Sequence, residues 1–306
     1  MSHPWSLSGH APQEALKSQG FALLEPGQLE ALTGVGASAL ADWRAQWNRL
    51  PADAYLRDGG RYRSRRHGCF IQSLARDDLG TADPTTGERA TRKPPTGDEL
   101  TLAPRRPHWQ STDYNALHGG IDRWFEPLEE ALSSDGRWRQ LLCSLGRLFA
   151  GGHGTERWYI EAHQFRIDAS DGVGRPTPEG AHRDGVDFVA VILVNRQAVK
   201  GGETRVFQAE GPLGMRFVIA QPWSALLLDD ARVIHETTPI QPTGQGAVRD
   251  TLVLTYRRRG FQSTDAAEAG AGDAAAGAEP GRDQAGTRPV APAASPAAVP
   301  ADPGHR

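Results

Sequence analysis

The chain has 306 residues, 38% of them hydrophobic and 23% charged, which is enough for one large domain with a buried core. Lys and Arg number 34 against 37 Asp and Glu, and the segment 261–306 alone carries three Arg against six acids, so the rest of the chain is neutral. A neutral body lacks the basic field that a general nucleic-acid binder or an anionic-membrane binder requires. Cys69 and Cys143 are the only cysteines and lie outside any Cys-x-x-Cys, which argues against a disulfide framework or a zinc-thiolate site and fits a reduced cytoplasm. The start, Met1 to Ser6, has no basic region followed by an apolar run, and no stretch approaches the ~18 apolar residues of a membrane span. The expectation is a soluble cytoplasmic protein with no membrane partner.

From Gln28, the apolar residues Leu29, Leu32, Leu40, Trp43, Trp47 and Leu50 recur at helical spacing as far as Pro51, with Gly34 and Gly36 weakening the middle. Residues 75–107, rich in Pro, Asp and Gly, predict a long excursion with turns, a natural lid. Ile121, Trp124, Phe125, Leu128 and Leu132 predict a second helical stripe. Trp138, Leu141, Leu142, Leu145, Leu148 and Phe149 predict a third, capped by Asp135 and ended by Gly151-Gly152. Beyond residue 156 the pattern becomes strand-like over 158–167, 186–194, 204–208, 216–219, 225–228 and 251–256. Helices first and strands later imply an α+β domain whose C-terminal half is a β-sandwich or barrel. After Phe261 the chain is Ala, Gly, Pro and Asp with almost no large apolar residue, so 262–306 is expected to be disordered.

The chemistry concentrates around His182-Arg183-Asp184. On an extended segment, side chains two apart share a face, so His182 and Asp184 point the same way. His235, fifty-three positions later and just beyond the apolar run 225–228, can complete a set of two imidazoles and one carboxylate. Such a facial triad leaves half an octahedron open, as non-haem Fe(II) oxygenases require. Taken singly, each residue has a plainer reading: a surface ion pair at a turn for His182 and Asp184, a satisfied structural imidazole for His235. Arg249 opens the last strand, where a rigidly held guanidinium suits bidentate capture of a carboxylate, although a solvated strand end would carry an arginine equally well. Asp230 is either a turn-forming acid or a residue that orients a ligand. Arg61, Arg63 and Arg65 alternate and so share a strand face, as a substrate-binding group or as a basic edge.

Several ordered segments carry a resemblance: His108-Trp109-Gln110-Ser111, Asn115 to Ile121, His163-Gln164-Phe165-Arg166, Glu179 to Phe188, Gly201-Gly202-Glu203-Thr204, Asp229-Asp230 with His235, and Arg249-Asp250. Over residues 20–258 the chain resembles the iron(II)/2-oxoglutarate dioxygenases that hydroxylate free L-amino acids, the isoleucine dioxygenase group. The resemblance implies a double-stranded β-helix, a jelly-roll or cupin-like barrel supported by N-terminal helices. It implies a single catalytic domain over 1–261, with helical support over 12–150 and the jelly-roll core over 156–258. It implies His182, Asp184 and His235 as iron ligands and Arg249 as the receiver of the distal carboxylate of 2-oxoglutarate. It places Gln164 (cosubstrate) and Arg166 (substrate) on a pocket-lining strand face, with Arg63 and Arg65 as further substrate residues. Fe(II), 2-oxoglutarate and O₂ are then required, with ascorbate as an in vitro reductant and a small molecule, a free amino acid, as substrate. The rival readings are a cupin-like Lewis-acid hydrolase or isomerase, which needs no arginine for a cosubstrate, and a non-catalytic ligand-binding barrel.

Overall fold

Alternation of side chains along strands, with helices covering one face of the resulting sheet, organises the computed structural model, which describes residues 5–7, 10–58, 60–75, 97–151 and 155–263. These all lie within one compact unit, Met1–Ala267. The order is α1 (Pro12–Gln19), β1 (Phe21–Leu24), α2 (Pro26–Thr33), α3 (Ala37–Trp43), a 3₁₀ helix (Arg44–Arg49), β2 (Arg63–Ser73), β3 (Glu99–Leu102), α4 (Glu130–Ser133) and α5 (Gly136–Ala150). There follow β4 (Arg157–Asp168), β5 (Phe188–Gln197), β6 (Val199–Gly201), β7 (Thr204–Gln208), β8 (Gly214–Phe217), β9 (Ala225–Asp229), β10 (Val233–Thr237), β11 (Ile240–Pro242) and β12 (Val248–Arg257). One seven-stranded sheet has the order β1-β9-β5-β12-β4-β2-β3, a second has β10-β7-β8, and β11 pairs with β6, with every pairing antiparallel.

The two faces of the large sheet differ. Trp158, Ile160 and Ala162 of β4, Ala190, Ile192 and Val194 of β5, and Leu252, Leu254 and Tyr256 of β12 join one apolar core with α1, α2, α3 and α5. The opposite face forms its larger apolar cluster at the β1-β9-β5 end, where Phe21, Val189, Leu193, Leu226 and Leu228 pack on Val206 and Val233 of the small sheet. Across β12, β4 and β2 that inner face mixes buried charged groups with Phe165, Ile167 and Val253 and lines a cavity. Trp47 Nε1 donates to the backbone carbonyls of Phe165 and Thr251, tying the 3₁₀ helix to two central strands. Gly146 lets α5 lie close to the sheet, since a Cβ there would stand 1.9 Å from Gln72 Oε1.

Several expected elements differ. The single helix over 28–50 is three pieces, because Gly34 takes a left-handed conformation (φ 69°) that ends α2, and the last piece tightens into 3₁₀ geometry. The stripe at 121–132 is helical only over Glu130–Ser133; upstream, Arg123 forms an antiparallel bridge with His108, and Pro127 has no backbone N–H to give a helix. The excursion 75–107 contains the edge strand β3, paired with β2, and its residues 76–96 lie outside the described residues, as does the tail from 264. Gln262, placed by sequence in that tail, is buried and donates to the carbonyls of Asp184 and Gly185 at 2.9 and 2.7 Å. Among the described residues no helix is long and apolar enough to cross a membrane. Both cysteines are free.

Asp135 caps α5 as its sequence position predicts: Oδ1 accepts the Arg137 N–H at 2.8 Å, and Oδ2 accepts the Trp43 indole N–H at 2.9 Å. Asp135→Ala is expected to lower stability by about 1–2 kcal/mol, read as a reduced denaturation midpoint with an unchanged slope; an unchanged midpoint would remove the cap from the account.

Candidate active site

His182 and His235 are held side by side by reciprocal backbone hydrogen bonds, His182 N–H to His235 O at 3.0 Å and His235 N–H to His182 O at 2.9 Å. Directly opposed residues of an antiparallel bridge point their side chains to the same side, and the two rings lie 4.6 Å apart between centroids. Asp184 stands between them, with Oδ1 3.8 Å from His182 Nε2 and Oδ2 3.7 Å from His235 Nε2. One donor atom from each of the three falls within 4.8 Å of the others, a set that can hold a metal ion. His182 Nδ1 lies 2.9 Å from the Gly180 carbonyl, so it carries the proton and leaves the Nε2 lone pair free toward the carboxylate. Burial drives the His235 imidazole well down, with His182 adding to the effect, and so keeps it in the neutral form that binds metals.

The carboxylate of this set is positioned from two sides. Asp230, fully buried, accepts the backbone N–H groups of Asp184, Gly185 and Val186 at 2.9, 2.8 and 3.1 Å. It therefore orients the segment bearing Asp184 and is more than a turn former. Gln110 Nε2 donates to Asp184 Oδ1 at 3.2 Å, while Gln110 Oε1 accepts from Arg123 at 2.9 Å and Asn115 at 3.1 Å. Two donors on one oxygen fix which way the amide faces. Glu179, which sequence reading left without a role, brings Oε1 within 3.6 Å of His182 Nε2.

Arg249 extends from the central strand β12 into the same cavity and is 3% exposed. Its strand neighbour Asp250 is taken by Arg166, and no carboxylate lies within ion-pair distance of Arg249 among the described residues. Its Nε is buried without a partner, and burial, reinforced by Arg196, pushes the guanidinium down to about 10. A buried cation lacking an anion in its own chain fits an anionic ligand. The donor set and this arginine together suit a ferrous ion and a dicarboxylate.

The expectation for Gln164 and Arg166 is corrected. They do share a face of β4, but it is the face turned from the cavity: Gln164 is fully buried and outside the lining, and Arg166 pairs with Asp250 at 2.7 Å. The cavity side belongs to Tyr159, Glu161, His163, Phe165 and Ile167. The apolar parity of Trp158, Ile160 and Ala162 carried this signal, since a one-residue shift exchanges the faces of a strand. Arg63 and Arg65 do line the cavity, Arg63 held by a 2.7 Å ion pair with buried Asp53; Arg61 precedes the strand and does not. Beside them the imidazoles of His67, His108 and His163 converge on Glu161 Oε2 at 3.3, 2.6 and 3.6 Å, a cluster absent from the sequence reading. Burial pushes His108 down to about 3, and against the cost of burial His108 and its companions hold Glu161 well below the usual carboxylate range. Both directions leave Glu161 anionic and His108 neutral.

The profile of the 2OG-Fe dioxygenase family matches residues 44–255. The chain belongs to that family. Its members' Fe(II), 2-oxoglutarate and O₂ are this enzyme's cofactors, in keeping with the His-Asp-His set. A bsmA homolog from Methylobium petroleophilum PM1 is 51% identical, with the match covering 82% of this chain and 94% of that one at a TM-score of 0.72. IDO from Bacillus thuringiensis, 17% identical over 81% of this chain and 98% of that one (TM-score 0.60), has a similar fold. So does the Fe(II)/(alpha)ketoglutarate-dependent dioxygenase TqaL, 16% identical over 80% and 85% (TM-score 0.54). No curated protein sequence matches the chain.

Asp230→Ala removes three hydrogen bonds to the Asp184 segment and is expected to weaken Fe(II) binding by about 10–100-fold. Competition against a chromophoric chelator measures this; an unaltered affinity would show that Asp184 needs no such support.

Proposed function

We propose that this 2OG-Fe dioxygenase hydroxylates an aliphatic C–H of a free L-amino acid, with succinate and CO₂ as coproducts. In this reading His182, Asp184 and His235 hold Fe(II), and Arg249 takes the distal carboxylate of 2-oxoglutarate. The observation that carries it is the meeting of the three donor atoms, within 4.8 Å of one another, and a buried arginine without an anion of its own in one cavity. The two facing sheets support the jelly-roll, double-stranded β-helix reading, within one catalytic domain over 1–261 that the structure suggests extending to Gln262.

Bound at this triad, Fe(II) supplies dioxygen activation coupled to the oxidative decarboxylation of 2-oxoglutarate. The chain's own work is placement. Gln110 and Asp230 fix the Asp184 carboxylate, and the Gly180 carbonyl fixes the His182 tautomer. Arg249, on a central strand bonded on both sides, holds one end of the cosubstrate in a fixed direction. A Lewis-acid hydrolase takes no dicarboxylate cosubstrate and so does not require an arginine to receive one. Support for the substrate class comes from the inner wall, which mixes buried cations (Arg65, Arg123) with a buried anion (Glu161), the complement of a small molecule bearing both charges.

Purified enzyme supplied with Fe(II), ascorbate and 2-oxoglutarate is expected to form succinate in amounts matched to hydroxylated amino acid. A panel of the twenty L-amino acids in which none raises succinate above background would overturn the substrate class. His235→Ala is expected to abolish Fe(II) binding and turnover together, and full activity in it would overturn the ligand set. Arg249→Ala should raise the KM for 2-oxoglutarate by about 100-fold with Fe(II) affinity retained; an unchanged KM would place the distal carboxylate elsewhere.

A further inference from the structure

Beyond the triad and Arg249, the cavity wall formed by β2, β4 and the 108–125 segment carries ionic groups that the chemistry above does not use. Arg63 is neutralised by Asp53. Arg65 and Arg123 are not: each is buried, each has an unpartnered buried Nε, and neither has a carboxylate within ion-pair distance among the described residues. Arg65 is clamped between the rings of Phe125 and Phe165, 3.8 and 4.4 Å from their centroids, so its guanidinium plane is fixed. Arg123 donates to Gln110, which donates in turn to Asp184, placing it two hydrogen bonds from the triad.

The counter-charge on the same wall is Glu161. Its Oε2 is surrounded by His67, His108 and His163, whereas Oε1 has no hydrogen bond or ion pair among the described residues although the side chain lines the cavity. Three imidazoles and a carboxylate can also describe a metal site. The Arg65 contact argues against that use. Arg65 NH2 lies 2.7 Å from His163 Nδ1, and a guanidinium only donates, so Nδ1 must accept and the proton of a neutral ring sits on Nε2, facing Glu161. A protonated Nε2 has no lone pair for a metal. The cluster is instead a set of imidazoles that grips one oxygen of Glu161 and leaves the other for a cation from the cavity.

We propose that this wall is the receptor for the charged head of the substrate, with Arg65 and Arg123 taking an α-carboxylate and Glu161 Oε1 taking the α-ammonium. The inference rests on the free-amino-acid reading and adds the groups that enforce it. A substrate acylated at nitrogen or esterified at its carboxyl leaves one of these buried charges without a partner, and a site built for a charged group rejects an analogue lacking it.

The test is anaerobic calorimetric titration of the Fe(II)- and 2-oxoglutarate-loaded enzyme with the twenty L-amino acids, followed by the N-acetyl derivative and the methyl ester of the tightest binder. Each derivative is expected to bind 10–100-fold more weakly than its parent, the loss of one charge-assisted contact. Glu161→Gln is expected to weaken the parent to the same degree, to leave the N-acetyl derivative unchanged, and to keep Fe(II) and 2-oxoglutarate affinities within about twofold. The derivatives test the unaltered enzyme, so they decide the question even if the variant does not fold. Equal binding of parent and derivatives, or equal weakening of both by Glu161→Gln, would overturn the head-group assignment alone. So would a second metal ion per chain, found by elemental analysis and lost in Glu161→Gln. Binding of no amino acid in the panel would overturn the free-amino-acid reading itself.

Discussion

The reciprocal backbone bond between His182 and His235 is the constraint on which the site depends. Without it, two imidazoles fifty-three residues apart would have no common direction; with it, their separation is set by the geometry of an antiparallel pair. The bridge joins the middle of β10, already paired along its length with β7, to an irregular loop that has no ladder of its own. The loop is held instead by side chains, Asp230 on its amides and Gln262 on its carbonyls. Rigid strand on one side and a hydrogen-bonded loop on the other hold the three side chains together.

The second determinant is the asymmetry of the large sheet's inner face. At the β1-β9-β5 end it is apolar and closes against the small sheet. At the β12-β4-β2 end it presents Arg249, Glu161, His163, Arg65 and Arg63, groups whose desolvation makes a closed core there unfavourable. The space that remains is the cavity, so the residues proposed to bind ligands also keep the room for them. The helices on the other face supply the apolar core that holds these strands in place, through α5 and the indoles of Trp47 and Trp158.

How much of this was legible in the sequence depends on whether the determining interaction is local. The strands of the C-terminal half and the capped helix α5 were readable, because alternation, helical spacing and an N-cap aspartate act over a few residues. The His182-Asp184-His235 grouping was readable from spacing and motif, and those side chains do converge. The resemblance puts Gln164 and Arg166 on the pocket face, whereas the apolar parity of Trp158, Ile160 and Ala162 turns them from it; Arg166 meets its partner Asp250 across a sheet pairing eighty-four residues distant. The apparent helix at 121–132 failed for a similar reason: Phe125 is buried against the Arg65 guanidinium from β2, a contact no local pattern encodes. The cluster around Glu161 draws on three separate segments: the pairing of β2 with β4 sets His67 opposite His163, and His108 reaches them from the segment bridged to Arg123.

The central claim, that one cavity couples cosubstrate oxidation to insertion of oxygen into an amino acid, is tested most directly by mass spectrometry of products formed under ¹⁸O₂. The account predicts one labelled oxygen in the succinate and one in the hydroxyl group of the amino acid. Labelled succinate with an unmodified amino acid, or a hydroxyl group whose oxygen comes only from water, would contradict it.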